Sequence, residues 1–274
     1  MKDALALPLQ QHAVFATALR HLGRDVRLVT LTDAAPLVTV RVLGQMMASR
    51  GPIWAQGTDD QAKARALVGS GLHLLNADST DDKALQGAGF HRLATPATVA
   101  ELDLRGHATD RIAALQGKWR NRWRRAQDAP VTLQEQRFER TRHQWLLAAD
   151  KVQQRQKRFS GLPHALILTL AAVDPEGVRV FVATHAGAPV AAMLFVLHRP
   201  VVTFHLGWIS PAARQWSLHH NMLMAAATQF SEDGYHRLDL GLVDTETAAG
   251  LARFKIGSGA EIRTLGGSWL RLRR

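Results

Sequence analysis

Along residues 26–104 the alternation of apolar and polar positions runs strand, turn, strand, strand, helix, strand, helix, strand, strand, and residues 178–273 run through the same order again. A helix opens the first pass: Leu9, Val14, Phe15, Ala18, Leu19 and Leu22 recur at helical spacing and Gly23 ends it. β-rich runs at 26–31 and 37–43 flank an Asp33-Ala34-Ala35-Pro36 turn, and residues 51–56 are predicted as a third strand. A helix over 59–68, a buried strand over 72–76, a short helix over 81–86 and strands over 90–93 and 99–104 complete this half.

The joining segment predicts one helix over 110–128, with Asp110 as its cap and Ile112, Leu115, Trp119, Trp123 and Ala126 on one stripe. A second helix is predicted over 133–158 and a short one over 164–172. The second pass then gives a hairpin of 178–184 and 189–198 about His185-Ala186-Gly187-Ala188, and a third strand over 201–209. Helix 215–231, strand 236–242, helix 245–256 and closing strands 261–265 and 268–272 follow. Local phrases also correspond: Gly71-Leu72-His73-Leu74-Leu75-Asn76 answers Gly234-Tyr235-His236-Arg237-Leu238-Asp239, each a glycine turn releasing an apolar strand.

At 274 residues the chain has room for two domains, each with its own core. No apolar run reaches the ~20 residues needed to span a bilayer, so no membrane insertion is expected. The opening Met1 to Pro8 lacks the apolar core of a secretory signal, which predicts a cytoplasmic protein. There is no cysteine, which closes thiolate chemistry. The formal charge of +11 favours polyanionic partners, nucleic acid or phosphorylated substrates among them. Much of the excess is clustered, in Lys118, Arg120, Arg122, Arg124 and Arg125 and then in Lys151, Arg155, Lys157 and Arg158.

Trp119 and Trp123 lie four apart on the apolar stripe, so core packing is favoured over base stacking. The interleaved arginines are read either as phosphate contacts or as a solvated face, and the 151–158 cluster, with Arg271, Arg273 and Arg274, as solvated. No His-x-x-x-His, Gly-x-Ser-x-Gly or Gly-x-x-x-x-Gly-Lys pattern occurs, and no metal is expected.

The twofold order of elements resembles the GNAT acyltransferase fold in tandem. The joining stretch Gly117-Lys118-Trp119-Arg120-Asn121-Arg122-Trp123, with Arg50-Gly51-Pro52, Leu238-Asp239-Leu240-Gly241 and Arg253-Phe254-Lys255-Ile256-Gly257-Ser258-Gly259, is similar to the Fem-type branch of that superfamily. Fem-type enzymes move an aminoacyl group from charged tRNA onto an amine. The resemblance implies two tandem GNAT-like α/β domains, each a mixed, mostly antiparallel sheet flanked by helices. They divide as 1–108, a supporting copy, and 109–274, which carries the active cleft.

It further implies a donor-phosphate contact for Lys255, in catalytic company with Asp239 or Asp244 as the group that orients the amine or takes its proton. Gly207 admits the donor, and Phe254 and Trp208 line the cleft. In acyl-CoA enzymes of this superfamily a glycine-rich loop cradles pyrophosphate. Here the equivalent Arg214-Gln215-Trp216-Ser217-Leu218-His219-His220-Asn221 has no glycine, leaving Arg214, Ser217 and His220 with the amides of a helix start as donor contacts. Arg50, Lys118, Arg122 and His205 are the expected acceptor or tRNA contacts. His205, His219 and His220 are weaker candidates for a proton acceptor.

The expectation is an N-acyltransferase whose donor, acyl-CoA or aminoacyl-tRNA, is a co-substrate rather than a tightly bound cofactor, and whose acceptor is a primary amine on a small or peptide-like molecule. An acetyl-CoA-dependent enzyme and a catalytically silent RNA- or nucleotide-binding module are the alternatives.

Overall fold

The computed structural model describes residues 5–157 and 161–272. The first half comprises α1 (Ala13–His21), β1 (Val26–Val29), β2 (Leu37–Val42), β3 (Gln45–Ser49), α2 (Asp60–Val68), β4 (Leu74–Ala77), α3 (Asp82–Gly87), β5 (His91–Ala94) and β6 (Thr98–Asp103). Then come α4 (Ala108–Ala114), α5 (Gly117–Gln127), β7 (Thr132–Arg137), α6 (Arg140–Lys157) and α7 (His164–Val173). The second half runs β8 (Val178–His185), β9 (Ala188–His198), β10 (Val201–Ile209), α8 (Leu218–Glu232), β11 (Arg237–Val243), α9 (Ala249–Gly257), β12 (Glu261–Thr264) and β13 (Gly267–Leu270). Arg158, Arg273 and Arg274 lie outside the described residues. Among the described residues no helix is long and apolar enough to cross a membrane.

Two mixed sheets flanked by helices carry the fold, as expected, but the units are not cut at residue 108. One comprises residues 7–99 and 263–274, the other residues 1–6 and 100–262. The first sheet has the order β1-β2-β3-β4-β13-β5 and the second β12-β6-β11-β10-β9-β8-β7. Strands β6 and β13, both read as closing their own halves, are thus exchanged. Each is a short apolar strand after a turn, and nothing in its residues distinguishes pairing with the preceding strand from pairing in the other sheet.

In the first unit Leu37, Leu67, Leu72, Leu75, Phe90 and Trp269 form the core. Trp269 comes from β13 and is fully buried, and Arg92 covers its ring at 4.6 Å. The third strand lies at β3 rather than over 51–56. A two-residue turn, Leu43 at φ 49° and Gly44 at φ 76°, joins it to β2. That geometry matches the twist of a hairpin, and the sequence hides it because leucine occupies a place where asparagine or aspartate is the usual sign.

In the second unit helices α5 and α8 pack with the sheet around Phe181, Phe195, Phe230, Met222, Leu223 and Trp119. Two expectations change here. The start of the helix predicted over 133–158 is instead β7, an edge strand paired antiparallel to β8 from Thr132↔Thr184 to Arg137↔Arg179. Its single buried-side leucine, Leu133, also fits a helical stripe. The helix over 110–128 is broken, because Leu115 and Gln116 take extended ψ values of 133° and 145°. The break lets Leu115 and Trp119 both enter the core, where Trp123 packs beside them.

Candidate active site

The site begins as a failure of strand pairing. β10 and β11 are parallel and pair at Val201↔Arg237, Val202↔Leu238 and Thr203↔Asp239, after which no register joins them. β10 continues to Ile209 on its other neighbour, β9, with a bulge between Phe204 and Leu206. β11 turns away at Gly241, which sits inside the strand at φ 75°, a conformation that a Cβ opposes. The result is a fork whose two arms are residues 204–209 and 240–243.

Two side chains hold the bent arm. Asp239 is 3 % exposed, and its Oδ1 accepts the Gly241 amide at 2.7 Å. Lys255, on α9 and 5 % exposed, donates from Nζ to the Leu242 carbonyl at 2.6 Å. Both therefore satisfy backbone groups that a continuous ladder would otherwise pair. Burial pushes the Lys255 ammonium down to about 8, against the opposing pull of the Asp239 charge.

The glycines after Lys255 serve packing. A Cβ on Gly257 would meet Trp119 Cδ1 at 2.7 Å, and one on Gly259, at φ 81°, would meet Ala114 Cβ at 2.9 Å. Trp119 Nε1 donates to the Phe254 carbonyl at 2.9 Å, and the Gln116 amide donates to the Gly257 carbonyl. The sequence suggested a glycine turn beside a phosphate. What the geometry gives is a close approach of α5 and its preceding turn to the end of α9.

Phe254 and His220 belong to that packing. Their rings meet edge-on at 5.3 Å, and His220 lies 4.7 Å from Trp119. His220 Nδ1 is engaged by the Ser217 carbonyl at 3.1 Å. Burial holds its imidazole down at about 4, the Ser217 carbonyl opposing and Arg122, His219 and Arg125 adding to the shift. Ser217 is left-handed at φ 54° and opens α8 without a side-chain cap. Arg214 is exposed nearby in sequence, as are Lys118, Arg122, Arg124 and Arg125 on α5. Arg120 instead ties the helix break, donating to the Ala113 and Leu115 carbonyls.

On β10, the Gly207 carbonyl accepts from Gln153 Nε2 at 3.2 Å, and a Cβ there would press on Phe204 and His219 at 3.3 and 3.4 Å. His219 Nε2 meets the Trp208 carbonyl at 3.0 Å. The Trp208 ring lies edge-on to Trp145 of α6 at 5.2 Å. His205 is the extra residue of the bulge.

Two candidates from the sequence stand elsewhere. Asp244 is exposed beyond β11, where it accepts the Glu246 and Thr247 amides at 2.9 and 2.8 Å and the Thr247 hydroxyl. Those bonds, the hydroxyl foremost, hold its carboxyl below the usual range. It closes a local turn. Arg50 belongs to the other unit, is itself left-handed at φ 57°, and binds Asp78 Oδ1 from Nε at 2.6 Å. Its guanidinium is committed to that pair. Gln153, Asp150 and His164 carry no sign of the site in the sequence, and Gly241 shows there only as the end of the Leu238-Asp239-Leu240-Gly241 stretch. The aspartate two before a glycine in an apolar strand was a readable sign of the bend, whereas the others reach the fork only through the tertiary fold.

Comparison with known proteins agrees with the geometry. Residues 109–255 match the model of the acetyltransferase (GNAT) domain family. Among solved structures, FemX is similar at a TM-score of 0.74 and 13% identity, over 96% of this chain and 91% of that one. The C-terminal domain of an Agrobacterium fabrum protein described as a lysylphosphatidylglycerol synthetase is similar at 0.60 and 13%, over 96% and 88%. L-PGS from Bacillus licheniformis is similar at 0.60 and 14%, over 94% and 88%. No curated protein matches the chain. With the family model spanning more than half its length and the forked strands inside that span, the chain belongs to the GNAT acetyltransferase family and has a Fem-like form of its fold.

Proposed function

We propose that the fork between β10 and β11 receives the activated acyl group of an anionic donor and that the protein transfers it to a primary amine. The observation that carries this reading is the pairing that stops at Thr203↔Asp239. Beyond it the two arms no longer pair with each other; side chains take the Gly241 amide and the Gly207, Trp208 and Leu242 carbonyls, and a ligand can lie between the arms. An extended thioester or ester arm laid between them can be hydrogen-bonded as a strand is, with its carbonyl polarised by an amide.

The charge distribution supports an anionic donor. Exposed Lys118, Arg122, Arg124 and Arg125 line α5, and the start of α8 is uncapped. The missing glycines in 214–221 favour aminoacyl-tRNA over acyl-CoA, since Trp216, Ser217 and Leu218 carry side chains where an acyl-CoA loop presents bare amides. Similarity to FemX and to a structure named for a lysyl product is in keeping with an aminoacyl group. In this reading Lys255 works from inside the fork, fixing the Leu242 carbonyl and lending a positive charge to the donor's leaving group. Asp239 acts through the bend at Gly241.

The test offers the purified protein acetyl-CoA, or a mixture of aminoacyl-tRNAs, together with a panel of primary amines, and detects amide products by mass spectrometry. Amide formed from charged tRNA alone supports the reading in full, and amide from acetyl-CoA moves the donor to acyl-CoA. Binding of either donor without any amide would leave a nucleic-acid or nucleotide binder and remove the transfer.

A further inference from the structure

On the α6 side of β10 the protein keeps a polar cluster that the donor reading leaves unused. His205 stands two residues past the last β10–β11 pair, at the bulge that re-aims its side chain. Its Nε2 is closed off from solvent and has no hydrogen-bond partner among the described residues. Native folds avoid a buried orphan of this kind unless something else takes it. Asp150 of α6, 2 % exposed, and His164 at the start of α7 both act on the ring electrostatically.

Asp150 is held firmly: its Oδ2 accepts from His164 Nε2 at 2.8 Å and from Gln154 Nε2 at 2.6 Å. One residue before Gln154, Gln153 fastens α6 to the Gly207 carbonyl of the same fork arm. A buried carboxylate thus acts on a neutral imidazole carried by the β10 arm of the fork. Burial holds that imidazole down at about 4, with Asp150 pulling upward and His164 downward, so its lone pair is free throughout the physiological range.

The geometry points to His205 as the positioning residue for the acceptor: Nε2 accepts an N–H of a primary amine, and the Asp150 carboxylate draws that amine in as its ammonium ion. This rests on the transfer reading, and it adds the acceptor's class, an alkylammonium, and the face from which it enters. The α6 face carries the acceptor, and the α5 and α8 face carries the donor's charge.

The experiment compares wild type with His205→Phe, which keeps a ring and removes the nitrogen, and with His205→Gln, which returns a polar atom near Nε2. With the best amine from the panel, His205→Phe is expected to raise KM by about tenfold with a much smaller change in kcat, as for one lost hydrogen bond to a charged or reacting partner. His205→Gln is expected to recover most of that loss. An unchanged KM in His205→Phe, or a Gln variant worse than Phe, overturns the inference. Thermal melting separates it from the parent reading. Relief of a buried orphan should raise the midpoint of His205→Phe by a few degrees. A lowered or unchanged midpoint shows that Nε2 is already satisfied and overturns the proposal, even if wild type transfers no acyl group.

Discussion

Among the described residues each unit has a parallel strand pair of three residue pairs, and the two pairs end differently. In the first, β3 and β4 join at Met47↔Leu74, Ala48↔Leu75 and Ser49↔Asn76. In the second, β10 and β11 join at Val201↔Arg237, Val202↔Leu238 and Thr203↔Asp239. Asn76 and Asp239 are equivalent by register as well as by local sequence, which makes Asp78 the counterpart of Gly241. Past that point the first pair is tied shut. The Arg50 amide donates to the Asn76 carbonyl, and Asp78 takes the guanidinium of Arg50 at 2.6 Å and that of Arg263 at 3.2 Å. The second is held open, by a carboxylate on the Gly241 amide and an ammonium on the Leu242 carbonyl. A duplicated frame has been finished with ion pairs in one copy and with contacts to the backbone in the other.

The largest effect should come from breaking the closed copy. Asp78→Ala leaves two part-buried guanidinium groups without their carboxylate and should cost about 3 kcal/mol of stability. Denaturant unfolding measures it, and the specific transfer activity of the remaining folded protein should be unchanged. A change in KM for either substrate would show that the first copy shares in the chemistry.

A smaller effect, seen in binding rather than stability, is expected at Lys255. Lys255→Met removes the donor to the Leu242 carbonyl and the charge inside the fork, and donor affinity should fall by about 10- to 100-fold, the worth of a charged hydrogen bond. Acidity gives a second reading of the same group. Its folded value, about 8, lies below the ordinary 10.5. Between those values the unfolded chain binds the extra proton, so this residue's contribution to stability increases as pH rises from about 8 toward 10.5. Donor affinity should move the other way, weakening as the ammonium is lost above pH 8. Titration of donor binding from pH 6.5 to 9.5 checks it, and an equal slope in Lys255→Met would remove Lys255 from the effect.

Much of this was legible in the chain. The doubled element order, the buried face of Trp119 and the strand–helix–strand–helix run about Asp239 and Lys255 follow from periodicity and glycine placement. The exchange of β6 and β13 was not, because strand partners are chosen by tertiary fit and not by local pattern. Arg50 looked like a ligand contact since an arginine beside Gly-Pro gives no sign that Asp78, 28 positions on, will claim it. Asp244 looked catalytic by its nearness in sequence to β11, and its own turn uses it.

The smallest and most specific effect is expected at Gly241, the counterpart of Asp78. Gly241→Ala asks a side chain to adopt φ 75° in the middle of a strand, at a cost of about 1–2 kcal/mol. There is room for the methyl group, since the nearest atom to a Cβ there is Lys255 Nζ at 3.8 Å, so the penalty is one of backbone conformation. The strand has two responses. If it keeps the bend, the thermal midpoint falls by several degrees and donor affinity stays as it was. If it straightens, Asp239 loses the Gly241 amide, β11 extends its pairing along β10, and the protein becomes no less stable while donor binding disappears. The comparison with Asp78 predicts the first response, because the Asp239 and Lys255 contacts fix the bend from both sides. Donor titration and a melting curve on the same sample distinguish the two, and stability retained with binding lost would mean that Gly241 alone keeps the fork from closing.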